Sequence, residues 1–122
     1  DGFHDNIGLI SVNNVFKGPQ IIDIIALIED LSNANDKLLQ SQIKNHYLSF
    51  NEDCANSAMF KQIWAILTMH HNINCIGYLA QLNSNNITSN NDLLEKQLAR
   101  LKLSLDSVYL QKFKVWFERY GV

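Results

Sequence analysis

Ser57 to Leu82, SAMFKQIWAILTMHHNINCIGYLAQL, is the longest apolar-rich stretch of the chain and the one whose reading decides the fold. At ~100° per residue, Phe60, Ile63, Trp64, Ile66 and Leu67 share one helical face, and His70 and His71 straddle it. After Asn74 the apolar positions Cys75, Tyr78, Leu79 and Leu82 have rotated by roughly a quarter turn. A rotated stripe predicts two packed helical pieces that meet at a kink or break near Asn72–Asn74, where Asn side chains compete for backbone bonds. The histidines then fall on the buried side of that joint. The stretch is not a membrane span, because Lys61, Gln62, His70, His71, Asn72 and Asn74 interrupt it too often.

Working outward, the segments on either side also read as helices. Gly18-Pro19 is a helix start, since proline at the first position loses no needed hydrogen bond. The helix that follows, to about Leu31, carries Ile21, Ile22, Ile24, Ile25, Leu27, Ile28 and Leu31 around much of its girth. Asp23, Glu29 and Asp30 form its narrow wet strip. Asn35 is the expected N-cap of a second helix, with Asp36 in its first turn. That helix, to about Phe50, aligns Leu39, Ile43, Tyr47 and Phe50, with His46 at the edge.

Toward the C-terminus, Asn83–Asn91 is an Asn-rich loop containing the glycosylation-type triplet Asn86-Ile87-Thr88. Ser89 or Asn90 is the expected cap of the next helix. Leu94, Leu98, Leu101, Leu105 and Val108 then repeat at 4-3-4-3 spacing, a two-heptad seam suited to a bundle. Past Ser107 the stripe shifts again, to Tyr109, Phe113, Trp116 and Tyr120. Asp106 or Ser107 suits the cap of a separate last helix, and Gly121 a left-handed stop. The expected architecture is all-α: an irregular bundle of five or six helices over residues 19–122, with residues 1–18 an extended arm on the same domain.

Totals narrow the function classes. At 122 residues the chain can bury about two-thirds of its unfolded surface, enough for a core without metal or disulfide support. A net charge of −2 excludes a general nucleic-acid binder, which needs clustered Lys and Arg. The charge is unevenly spread. Residues 1–92 set four lysines against nine acids, a net of −5, whereas residues 93–122 set six cations against three acids, a net of +3.

No P-loop, dinucleotide glycine pattern or nucleophile elbow is present. His71 and Cys75, four apart, share a helix face and with His70 are the candidates for a metal or thiol centre. They lack CxxC, HExxH and a nearby orienting carboxylate, so no cofactor is expected. Cys54 and Cys75 leave a disulfide open: helical geometry holds them apart, and an exported setting favours a bridge.

The functional candidates are instead Lys112, Lys114, Arg119, Trp116 and Tyr120 on the last helix, with Arg100 and Lys102 on the one before. Cations bordering an aromatic stripe is the arrangement of helices that lie in a lipid headgroup layer. Rings of this kind also form protein interface cores, including those of homodimers. The sequence points to a small, non-enzymatic interaction protein of effector type, binding a host protein or anionic phospholipid headgroups. An exported bacterial origin, secreted or periplasmic with a signal peptide removed, is expected from Asp1 in place of Met and from the Asn, Ile and Lys bias of an AT-rich genome. Two further readings stand beside it. One is a periplasmic immunity or inhibitor protein that blocks a partner enzyme through its acidic N-terminal two-thirds and Asn-rich loop. The other is a metal- or thiol-dependent enzyme at His70, His71 and Cys75.

Overall fold

Isoleucines spaced on one face open the first helix described. The computed structural model describes residues 21–30, 36–50, 52, 56–85 and 91–122. Within α1 (Ile21–Glu29), Ile21, Ile25 and Ile28 lie one turn apart and are buried, while Ile22 and Leu27 are exposed. The all-round apolar helix expected from the sequence is therefore one-sided. In α2 (Lys37–Ser49) the Asp36 carboxylate accepts from the Leu39 amide at 2.9 Å, so Asp36 is itself the N-cap. The expected core face of α2 is shallow. Ile43 and Tyr47 are half-buried, Phe50 is 76% exposed, and no residue of the helix is fully buried.

Next comes α3 (Ala58–Ser84), capped by Ser57 and unbroken over 27 residues, about 40 Å. The expected break at Asn72–Asn74 is not there. Asn72 is fully buried, and its side chain is committed elsewhere: Nδ2 donates to the Thr68 carbonyl at 3.0 Å and to Glu29 Oε2 at 3.3 Å. Its Oδ1 accepts from Gln97 Nε2 at 2.6 Å. An asparagine held by tertiary partners no longer competes with the helix ladder. The rotation of the apolar stripe has a different cause, a change of neighbours along the helix. Trp64 in the first half meets Tyr47 of α2, with ring centroids 6.2 Å apart, whereas Asn72 further on meets α1 and Gln97. A helix with different partners at its two ends needs no single stripe. The histidines part company accordingly: His71 is half-buried and His70 is exposed.

The chain returns along α3 as α4 (Asn91–Ser104), turns through Leu105–Ser107 into a 3₁₀ turn (Val108–Leu110), and ends in α5 (Gln111–Arg119). Met69, Leu101, Leu105 and Leu110 make a buried cluster, against which Ala65, Ile76, Phe117 and Val122 pack. Each such Leu contributes roughly 1.5–3 kcal/mol by leaving water. The predicted seam holds to Leu105 and then fails, because the turn throws Val108 outward (76% exposed) and puts Leu110 inside (0%). Five helices and no strand among the described residues make the fold all-α, a helical bundle.

Several expectations fall outside the described residues: the arm of residues 1–18, the Gly18-Pro19 start, the Asn35 cap, Cys54, the Asn86-Ile87-Thr88 triplet and the Ser89 or Asn90 cap. Cys75 is a free thiol. None of the helices described is long and apolar enough to cross a membrane.

Candidate functional site

The last helix is set by its entry. Ser107 accepts from the Tyr109 amide at 3.3 Å and caps the 3₁₀ turn, one element earlier than the cap of the last helix expected of it. Gln111 Nε2 donates to the Ser107 carbonyl at 2.9 Å, and Leu110 anchors the junction in the core. At the far end Gly121 takes φ 85°, and the Val122 amide donates to the Phe117 carbonyl at 3.1 Å. Both ends of α5 are fastened, and Leu110, Phe117 and Val122 hold one side of it down.

The other side is left open. No residue of α5 is fully buried, and Trp116 is 54%, Tyr120 66% and Phe113 45% exposed. Tyr109, one turn earlier, extends the same stripe. The rings brace one another: Trp116 lies 4.8 Å from Tyr120 and 5.1 Å, edge-on, from Phe117, centroid to centroid. Such packing gives an exposed indole a defined pose before any partner arrives.

The seven predicted site residues divide by their charge partners. Lys112 and Arg119 stand exposed beside the stripe with no carboxylate partner among the described residues. Lys114 turns back to Asp106 at 2.7 Å, and that hydrogen bond, with the carboxylate charge, raises its pKa above the ordinary lysine value. Lys102 and Lys114 line a cleft of about 580 Å³ at the foot of α5, floored by Leu105 and Phe117.

Arg100 belongs elsewhere. Its Nε and Nη2 both donate to Glu29 Oε2, at 3.1 and 2.8 Å, with the two side chains 15% and 11% exposed. The expected wet strip of α1 is thus dry at Glu29. Sequence reasoning missed this pair and its neighbours Asn72 and Gln97. The available signal was polar residues at core positions, with Asn72 three after Met69 and Gln97 four before Leu101.

His71 Nε2 lies 3.5 Å from Cys75 Sγ, as the i, i+4 spacing predicts. Burial pushes the Cys75 thiol up, with Asp30 and Glu29 adding to it. Burial also pushes His71 down, opposed by Glu29 and Asp30 and assisted by His70. These directions favour thiol and neutral imidazole, not the thiolate of an activated nucleophile. His70 faces away from the pair, with its ring nitrogens 3.4 and 3.5 Å from Asn74 Nδ2. No group of three or more His, Cys, Asp or Glu with metal-site geometry occurs among the described residues. Comparison with known proteins finds no family model, no curated protein and no solved structure that matches this chain.

Proposed function

We propose that this chain is a non-enzymatic interaction module that docks α5 on a negatively charged surface, in the first instance the headgroup layer of an anionic membrane. One observation carries the reading: a helix fastened at both ends presents Phe113, Trp116 and Tyr120 to solvent, bordered by unpaired Lys112 and Arg119. Indole and phenol rings favour the headgroup region, where an apolar body and a polar tip are both satisfied. Each cation near an anionic leaflet adds about 1 kcal/mol. Lys102 extends the basic surface, while Lys114 is held by Asp106.

A protein partner is the second reading, favoured by the cleft beside α5. There Leu103 and Phe117 supply apolar wall, and Lys102 and Glu118 charges of both signs for the polar groups of a partner. Either mode fits an exported, effector-type protein, the setting expected from the sequence. Flotation with phosphatidylserine and with phosphatidylcholine vesicles at low salt tests the membrane mode. Flotation with the first and not the second supports it; no flotation with either overturns it.

A further inference from the structure

The structure has a second cleft, remote in character from α5 and unused by the proposed function. It holds about 550 Å³, within the range of small-molecule sites, and is bounded by α1, α2, α3 and the 3₁₀ turn. Two cations line it, Lys44 from α2 and Lys61 from α3. Neither has a carboxylate partner among the described residues. Among the described residues the only acid on the wall is Glu29, which Arg100 already neutralises at 2.8 Å. The described lining therefore carries an excess of positive charge.

Its apolar wall is aromatic. Trp64 lines it with Phe60, ring centroids 5.8 Å apart, and Lys44 Nζ lies 4.9 Å from the Trp64 ring centroid. A cation held against an indole face has its ammonium placed by the ring and its charge only partly satisfied. Desolvation lowers the Lys44 pKa from the ordinary value, so the protein around it disfavours the lone charge. An anion in the cleft offsets that cost. Ser41 adds a hydroxyl from α2 to the same wall.

We infer that this cleft binds a small phosphate monoester with an aromatic ring, its phosphate between Lys44 and Lys61 and its ring against Trp64 and Phe60. Two ammoniums match the charge of a monoester near pH 7, about −1.5 to −2, better than that of a carboxylate. Lysine binds phosphate as a compact point charge, with no need of the planar fork of arginine.

The test is titration of the full chain with phenyl phosphate, followed at the two tryptophan indole N–H resonances. Trp116 serves as an internal control. A saturable shift at Trp64 alone is expected. Lys44→Gln and Lys61→Gln should each weaken it on the order of fivefold, the scale of one partly exposed ion pair. Lys96→Gln, at a lysine paired with Asp92 on the outer face of α4, should leave it unchanged. Inorganic phosphate and phenol, each carrying half of the ligand, should both bind more weakly. Equal drift of both indoles, a Trp64 shift that does not saturate, or an unchanged affinity in Lys44→Gln of unaltered melting temperature overturns the inference.

Discussion

Replacing Arg100 with methionine is the sharpest probe of what holds the bundle in register. The substitution keeps the stem of the side chain and removes the guanidinium that places two hydrogen bonds, 3.1 and 2.8 Å, on Glu29 Oε2. Glu29 is 9% exposed, and the donor left to it is Asn72 Nδ2 at 3.3 Å. Stranding a charge in such a place costs about 3–5 kcal/mol. Some solvent still reaches the pair, so about 3 kcal/mol is the working figure. For a chain of this length that lowers Tm by roughly 10 °C. Replacing Glu29 as well removes the stranded charge. The double variant Glu29→Met/Arg100→Met should recover most of the loss, short by about 1 kcal/mol for the Asn72 N–H left without its carboxylate. Urea unfolding of the four proteins gives the coupling energy directly. A loss below about 1 kcal/mol in Arg100→Met, or a double variant as unstable as the sum of the singles, refutes a desolvated pair and returns Glu29 to the wet strip.

Other perturbations follow from the same geometry. Trp116→Ala should weaken flotation with phosphatidylserine vesicles by about tenfold or more, since half of an indole, on the order of 100 Å², carries about 2.5 kcal/mol; an unchanged floated fraction removes α5 from the interface. Leu110→Ala, at a residue with no exposure, should cost about 2–5 kcal/mol in urea unfolding, whereas Val108→Ala, at an exposed one, should fall within about 0.5 kcal/mol. Thr68→Val should stabilise the fold by about 1 kcal/mol, because Thr68 Oγ1 is buried without a partner among the described residues; a loss of that size would show that the hydroxyl is bonded in solution. The His71 pKa is lowered in the fold, so the unfolded chain takes up protons first. Stability should therefore decline as pH falls below the ordinary histidine value of about 6.5 and on through the folded value. His71→Gln should flatten that decline, read by urea midpoints between about pH 7.5 and pH 5.

Much of the fold was legible because it rests on local chemistry. The Gly121 stop and the separate last helix are decided by two or three adjacent residues, and the structure has both; Ser107 caps the 3₁₀ turn that precedes that helix, not the helix itself. The seam of α4 was legible as far as Leu105, where periodicity still governs. Val108 departs from it because the turn at Leu105–Ser107 resets the phase. The break assigned to α3 failed for a non-local reason. Asn72 is a poor helix residue when its side chain is loose, and nothing nearby in sequence shows that Glu29, 43 positions away, and Gln97, 25 away, will hold it. Of the candidate site, the exposed aromatic stripe on α5 was readable from the wheel. The diversion of Lys114 to Asp106 and of Arg100 to Glu29 was not.

Those diversions change what the charge asymmetry of the chain means. Along the sequence the last thirty residues hold an excess of cations, and a linear reading treats all of them as available to a partner. Folding spends that excess unevenly. Arg100 is drawn 71 positions back to an acid of the N-terminal part, and Lys114 is drawn eight positions back to Asp106. Lys102, Lys112 and Arg119 remain without a carboxylate partner among the described residues. At about 1 kcal/mol each, three cations cannot hold a protein to a membrane against the 4 kcal/mol or more that association costs. The exposed halves of Phe113, Trp116 and Tyr120, on the order of 300 Å² together, supply the larger share at about 7 kcal/mol before those costs. On the proposed membrane mode the rings are therefore the anchor and the cations the guide, which inverts the emphasis that net charge alone would give.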